Sequence, residues 1–248
     1  MTTFQVKITF FRELNDFLPH FKRGNSISLE LRSPRSIKDL IESLGIPHTE
    51  VGQVKMNDIS ANISEVIREQ ARITVYPFSI SDYRTEAGLP EMAIRFVGDV
   101  HLGSLVRKLR LLGLDTEYSN KWTDLELASI SAREERFLLT RDRHLLMRKI
   151  VRQGLFVRSE DPEKQVSEVV TRLDLRRVCK PFTRCLICNG ILVPINNDQE
   201  LSDQTRAKIP PGIRSWCRHY SLCQACGKVY WPGSHFKKLR LLADSYLA

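Results

Sequence analysis

Residues 137–146 of the 248-residue chain read Phe-Leu-Leu-Thr-Arg-Asp-Arg-His-Leu-Leu, the pattern of a short buried strand that runs into a helix. The run at 137–140 predicts the strand, and Leu145, Leu146 and Ile150 follow at helical spacing. Three further strand-like runs, each followed by a helical pattern, lie at 93–97, 114–118 and 155–158. Repeated alternation of strand and helix predicts a parallel sheet with helices on both faces, and therefore an α/β fold.

Helix start signals support the same reading. Thr123 and Glu126 form a capping-box pattern, which predicts a helix with Leu125 and Ala128 on its buried face. Asp161 is followed by a proline, which is typical of the first turn of a helix.

Three aspartates lie where a parallel sheet places its ligands, at the carboxyl ends of strands. Asp99 follows the first strand, Asp124 opens the helix after the second, and Asp142 follows the third. Carboxylates gathered at one edge repel each other unless a cation pairs with them, and oxygen ligands favour Mg²⁺ or Mn²⁺. Each aspartate taken alone fits a helix N-cap better than a metal ligand, and only their convergence at one edge favours the metal, so the capping alternative stays open. Four more acids could complete such a site: Asp115, Glu117, Glu160 and Asp161.

Two Cys-x-x-Cys pairs, Cys185 with Cys188 and Cys223 with Cys226, predict a zinc site near the C-terminus. A two-residue spacer lets both sulfurs of one turn face the same tetrahedral ion, and four thiolates leave no open position for a substrate. The zinc is therefore expected to be structural. The 34 residues between the pairs indicate an insertion. Two cysteines outside the pairs, Cys179 and Cys217, are expected to be ordinary thiols, with zinc ligation by either as the alternative.

Positive charge is concentrated in the segment that carries the cysteines. The chain has a formal net charge of +9, and residues 176–248 contribute 12 basic and four acidic side chains, a net charge of +8. A basic zinc module predicts a polyanionic partner, most often nucleic acid, although solubility charge is the alternative. The expected phosphate contacts are Arg107, Arg110, Arg141, Arg143, Lys237 and Lys238. Tyr230, Trp231 and His235 could stack on unpaired bases or cover the core of the zinc module.

Residues 1–80 have the pattern of a small α+β domain. Alternating apolar residues at 4–10 and 27–31 predict a hairpin, Ser36 caps a helix, and strands are expected at 51–56 and 73–76. This order resembles the β-grasp fold of ubiquitin-like sulfur carriers of the ThiS/MoaD type. Such carriers need a free C-terminal Gly-Gly, which is missing here, so the domain is expected to dock a protein partner or act as a scaffold. Residues 81–91 are expected to form a linker.

The central and C-terminal segments resemble a known nuclease family. Residues 138–145, with Asp124 and Ala128 upstream, resemble the Asp…Ala…Leu-x-Thr-x-Asp signature of PIN (PilT N-terminal) nucleases. Residues 98–116, the cysteine pairs and residues 229–235 resemble the RNase domains similar to the C-terminal region of the Mut-seven exonucleases.

The resemblance implies a PIN-like domain at 92–178 and a zinc ribbon at 179–248. It also implies a Mg²⁺- or Mn²⁺-dependent ribonuclease in which Asp99, Asp124 and Asp142 hold the metal and RNA is the substrate. Two other hypotheses remain: a zinc-ribbon protein that binds nucleic acid without cleaving it, and a scaffold or sulfur-transfer accessory protein built on the β-grasp domain.

The cellular compartment is also predicted from sequence. The N-terminus has no charged start followed by an apolar run, and no stretch approaches the length of a membrane span. Unpaired thiols suited to zinc fit a reducing environment. We therefore expect a cytoplasmic protein that does not enter a membrane.

Overall fold

The computed structural model of the protein describes residues 3–81, 94–195 and 202–247. The chain divides into two compact units, residues 1–93 with 122–157 and residues 94–121 with 158–248. The expected linker at 81–91 lies almost entirely outside the described residues. In the described ranges, no helix has both the length and the apolar character that a membrane span requires.

The described strands and helices are numbered in chain order. The strands are β1 (Phe4–Phe10), β2 (Ile27–Leu31), β3 (Arg35–Ser36), β4 (Val51–Met56), β5 (Ile59–Ala61), β6 (Val66–Ile67), β7 (Ala71–Pro77), β8 (Phe96–Gly98), β9 (Thr116–Tyr118), β10 (Phe137–Thr140), β11 (Gly154–Phe156), β12 (Leu192–Ile195), β13 (Tyr220–Cys223) and β14 (Val229–Tyr230). The helices are α1 (Ile37–Ser43), α2 (Gly103–Leu111), α3 (Asp124–Glu134), α4 (Arg143–Leu146), α5 (Pro162–Arg172), α6 (Asp203–Ala207), α7 (Pro211–Arg214) and α8 (Ser234–Leu247).

The first unit contains a five-stranded sheet in the order β2-β1-β7-β4-β5. Strand β1 pairs antiparallel with β2 and parallel with β7, while β4 pairs antiparallel with both β7 and β5. Val6, Ile8 and Phe10 alternate towards a core that also receives Leu40 and Ile41 of helix α1. The N-terminal residues therefore form a sheet domain of their own, with the hairpin, helix and strand order that the sequence predicts.

The first unit also contains strands β10 and β11, which pair parallel to each other. Helix α3 begins with the capping box between Thr123 and Glu126, as predicted. The prediction that Leu125 faces the core is wrong, because its side chain is 61% exposed. The buried face is instead formed by Leu127, Ala128, Ile130 and Ser131.

The second unit contains the parallel pair β8 and β9, together with helices α2, α5 and α8. Helix α2 ends at Leu111, and Gly113 just after it has a φ of +82°. Gly113 lies so close to Lys180 that a Cβ there would be 2.1 Å from the Lys180 carbonyl oxygen. Lys108 of α2 and the Tyr246 hydroxyl of α8 both donate to the Glu163 carboxylate of α5. Parallel strand pairs in both units support the α/β class that was expected.

The C-terminal part of the second unit is a small antiparallel sheet in the order β12-β13-β14. Cys223 ends strand β13, and its partner across the sheet is Leu192 of β12. Ile209 and Cys217 form a separate apolar cluster with Tyr220 of β13 and Val229 of β14, and Trp231 packs against this cluster. The arrangement is consistent with a zinc ribbon.

Candidate functional site

The four paired cysteines come together at one point of the second unit. Their Sγ atoms all lie within 4.8 Å of one another, with 3.7 Å between Cys185 and Cys226 and 3.4 Å between Cys188 and Cys223. A tetrahedral ion at about 2.3 Å from each sulfur places the sulfurs about 3.8 Å apart. The spacing and the donor chemistry therefore fit a closed metal site such as a structural zinc site.

The two cysteine turns have the same backbone geometry. The Cys185 N–H donates to the Gly190 carbonyl (2.8 Å), and the Cys185 carbonyl accepts from the Asn189 backbone N–H (3.0 Å). In the second turn, the Cys223 N–H donates to the Lys228 carbonyl and the Cys223 carbonyl accepts from the Gly227 N–H, each at 2.9 Å. The residue four positions after each first cysteine is left-handed, with φ +67° at Asn189 and +66° at Gly227. Both turns are thus preformed to direct two sulfurs to one ion.

Without a cation, the cysteine cluster has conflicting preferences for ionisation. Burial raises the pKa of the Cys188 thiol to about 12 and also raises the pKa of Cys226. Burial opposes ionisation of Cys185 as well, but hydrogen bonds from Tyr230 and from backbone N–H groups outweigh it and lower its pKa to about 6. A divalent cation removes the conflict because it favours all four thiolates.

Two side chains support the cysteine turns from outside. The Tyr230 hydroxyl lies 3.1 Å from Cys185 Sγ and accepts from the Leu186 N–H at 3.2 Å. Arg110 of helix α2 is 4% exposed, and it donates to the Ile187 carbonyl at 2.7 Å and to the Thr116 carbonyl at 2.9 Å. Burial lowers the pKa of the Arg110 guanidinium. The guanidinium donates to backbone carbonyls inside the protein and does not face solvent. We therefore leave Arg110 out of the proposed RNA contacts.

Asn189 joins the first cysteine turn to strand β9. Its side chain donates to Asp115 (2.8 Å) and Glu117 (3.0 Å) and accepts from the Thr116 N–H (3.1 Å). Asp115 also forms an ion pair with Arg184 at 3.2 Å. No sequence motif identifies Asn189 as a site residue. The signal that could find it is its position four residues after Cys185, equivalent to Gly227 in the second turn, where asparagine tolerates the left-handed backbone.

We expect Asn189→Gly to destabilise the second unit by about 3–6 kcal/mol, the lower part of the sum over the bonds removed, because neighbouring bonds are not fully additive. Glycine keeps the positive φ but removes three hydrogen bonds, two of them to carboxylates, and each such bond contributes about 1–3 kcal/mol. Urea unfolding of the full chain measures the loss. Glu135→Gly is the control, because Glu135 is also left-handed (φ +51°) but exposed, and its change should be small. Equal stability of both variants would show that the Asn189 bonds contribute little.

Asp99, the first of the three predicted metal ligands, lies in the second unit. It is 6% exposed and precedes the short 3-10 helix Val100–Leu102. Its Oδ1 atom accepts from the Val100 N–H at 2.5 Å, which is an N-cap interaction. A carboxylate has about four acceptor positions on its two oxygens, so the cap bond is compatible with a cation.

Asp124 and Asp142 lie in the first unit. Asp142 caps helix α4, and its Oδ1 atom accepts from the His144 N–H at 2.8 Å. Asp124 is the first residue of α3, and its carboxylate lies 3.8 Å from the Arg148 guanidinium. The N-cap bonds that the capping alternative expects are therefore present at Asp99 and Asp142. Whether the three aspartates share one ion stays a prediction.

The remaining acids considered for the metal site have other surroundings. Asp161 caps helix α5 through the Glu163 N–H at 2.9 Å and is exposed, as is Glu160. Asp115 and Glu117 are hydrogen-bonded to Asn189 of the cysteine turn.

Arg143, next to Asp142, contacts the N-terminal sheet domain within the first unit. Its Nη1 atom donates to the Phe17 carbonyl at 3.1 Å, and its guanidinium lies 5.0 Å from the Phe17 ring and 5.5 Å from the Phe156 ring. Glu50, which is 1% exposed, accepts from the Phe156 N–H at 2.6 Å. Arg143 therefore holds the turn after β10 against the N-terminal domain, and we leave it out of the proposed RNA contacts.

The other predicted phosphate ligands are more accessible. Arg107 on helix α2 is exposed, and so are Lys237 and Lys238 on α8. Arg141 is partly buried, with its Nη1 atom 3.3 Å from the Val157 carbonyl.

Together, these features define an α/β protein with an N-terminal sheet domain and a four-cysteine ribbon at the C-terminal end. Residues 94–242 match the family model of the Mut7-C RNAse domain, and residues 3–82 match the model of the Mut7-C ubiquitin domain. The chain therefore belongs to the Mut7-C RNase domain family, with a ubiquitin-like domain in front, as the sequence resemblance implied. No curated protein sequence matches the chain.

Proposed function

We propose that the chain is a metal-dependent ribonuclease that hydrolyses phosphodiester bonds of single-stranded RNA. The observation that carries the proposal is the match of residues 94–242 to the Mut7-C RNase domain. In this proposal the domain has a PIN-like fold, and Asp99, Asp124 and Asp142 hold Mg²⁺ or Mn²⁺. Their carboxylate oxygens are the ligands that these hard cations prefer.

The cation, when bound, supplies Lewis-acid stabilisation of the phosphodiester. The protein supplies the negative charge that holds it and basic side chains that orient the RNA. We assign phosphate contacts to Arg107, Arg141, Lys237 and Lys238, because guanidinium and ammonium groups bind phosphate oxygens strongly. Zinc on the four cysteines has a structural role.

A cleavage assay with the full chain tests the proposal. Labelled single-stranded RNA should be cleaved when Mn²⁺ or Mg²⁺ is added and should stay intact when no divalent cation is added. The buffer must contain no chelator, because a chelator would also remove zinc from the cysteines. Equal cleavage with and without added cation, or none in either case, contradicts a metal-dependent ribonuclease.

A second candidate function is RNA binding without cleavage. The cap bonds of Asp99 and Asp142 favour it, since they give both aspartates a structural role that needs no metal. It predicts salt-sensitive RNA binding with no cleavage product in the same assay.

Two further proposals concern the surroundings of the enzyme. We propose that the ubiquitin-like domain also docks a protein partner or serves as a scaffold, through surfaces other than the Phe17 and Glu50 contacts. We also propose that the protein works in the cytoplasm, where thiols remain available for zinc.

A further inference from the structure

An open apolar groove lies beside the cysteine ribbon in the second unit. Its volume is about 790 Å³, within the usual range for ligand sites. One wall comes from the β12-β13-β14 sheet, and the other includes residues of helix α8. Six aromatic side chains contribute to its lining: Phe182, Trp216, Tyr220, Tyr230, Trp231 and Phe236.

The aromatic side chains of this groove differ in how much of their surface already packs against other protein residues. Trp231 is partly buried and packs against the apolar cluster of the ribbon, as one of the two interpretations of the sequence expected. Phe182 and Phe236 pack against each other with ring centroids 4.7 Å apart. Trp216, just after helix α7, is 53% exposed. Because Trp216 lines the groove and is exposed, its indole ring offers a flat face on which a planar ligand can stack.

The charge around the groove selects the kind of ligand. Of the described residues that line it, none is Asp or Glu, whereas the Lys228 ammonium is exposed, and the polar side chains of His219 and His235 are exposed as well. Arg184 also lines the groove, but it is paired with Asp115. Lys237 and Lys238 of helix α8 are exposed nearby in the chain. An apolar aromatic floor with a basic rim complements a ligand that is flat, apolar on its faces and attached to anions.

We propose that this groove binds unstacked nucleobases of an RNA strand, with Trp216 as the stacking surface and Lys228 as a phosphate ligand. Bases stack on aromatic side chains regardless of sequence, and a nearby lysine binds the backbone. The site takes single-stranded RNA, because bases in a duplex present no free face. It rests on the proposed function only in that RNA is the substrate, and it does not require cleavage.

The test measures binding by the full chain, with zinc bound and no Mg²⁺ or Mn²⁺ added. Fluorescence anisotropy compares a labelled single-stranded oligonucleotide with an abasic strand of equal length and charge. Trp216→Ala should weaken binding of the normal strand about tenfold and change binding of the abasic strand less than twofold. Trp216→Phe should restore most of the affinity. Lys228→Gln should weaken both strands and reduce the slope of log affinity against log salt by about one.

Trp122→Ala is the matched control, because Trp122 is a partly buried tryptophan outside the groove, and it should bind both strands like the parent protein. The zinc content of each variant verifies that the ribbon is intact. Unchanged binding by Trp216→Ala, or an equal loss on both strands, overturns the proposal; an apolar peptide groove would give the first result. In the cleavage assay with added Mn²⁺, RNA binding without cleavage overturns only the proposed function. Cleavage in that assay, together with unchanged RNA binding by Trp216→Ala, overturns only the groove proposal.

Discussion

Asp142→Asn should reduce Mn²⁺-dependent RNA cleavage about a thousandfold while leaving the fold intact. Asparagine and aspartate are equally good N-caps, so the amide oxygen still accepts the 2.8 Å bond from His144 and helix α4 still starts at the same place. The substitution removes only the negative charge that the proposed cation needs. A thousandfold loss corresponds to about 4 kcal/mol of transition-state stabilisation, which is within the contribution of a bound metal ion. Single-turnover cleavage of labelled RNA measures the change.

Asp58→Asn is the control for this substitution. Asp58 lies in the turn between β4 and β5, its side chain is 76% exposed, and it pairs only weakly with Arg72 at 3.6 Å. The same chemical change there should leave cleavage within twofold and the thermal unfolding midpoint nearly unchanged. If Asp142→Asn cleaves as fast as Asp58→Asn, then Asp142 is a helix cap and nothing more, and the non-catalytic RNA-binding function gains support.

Local features of this fold could be predicted from sequence because the interactions that create them span a few residues. The capping box of Thr123 and Glu126 forms between residues three positions apart, and the cap at Asp161 precedes a proline. The cysteine spacing likewise fixes both turns before any tertiary contact is considered. These signals located the helix starts and the candidate zinc site without knowledge of the rest of the chain.

The roles of individual charged residues could not be predicted in the same way, because they depend on contacts distant in sequence. Arg143 donates to the Phe17 carbonyl 126 positions earlier, and Arg110 donates to the Ile187 carbonyl 77 positions later. In a sequence, an arginine beside an aspartate looks the same whether its guanidinium binds a phosphate or a backbone carbonyl. Leu125 is exposed for a similar reason: the spacing of apolar residues along a helix predicts the buried face only approximately, and packing with the rest of the chain decides which side chains are covered.

Removal of zinc should have the largest effect on stability, because the ribbon has only a small apolar core of its own. Structural zinc contributes about 10–16 kcal/mol to the folding of isolated zinc modules, which is comparable to the whole stability of a domain. Cys223→Ser should therefore lower zinc from one ion per chain to near zero and unfold the ribbon. The loss should extend to helix α2 and strand β9, because Arg110 and Asn189 bond them to the first cysteine turn. Metal analysis and hydrogen exchange measure both effects.

Cys217→Ser is the matched control for zinc removal. Cys217 is a buried cysteine of the same unit, but its sulfur donates to the His219 carbonyl at 3.2 Å and lies outside the cluster of four. Serine can keep that donor, so we expect one zinc ion per chain and a stability loss of about 1–2 kcal/mol, typical of a single buried substitution. Acid should release zinc from the parent protein as protons compete for the thiolates. If Cys223→Ser retains a full zinc ion and the same exchange protection in helix α2, the cysteine cluster does not organise the second unit through a metal.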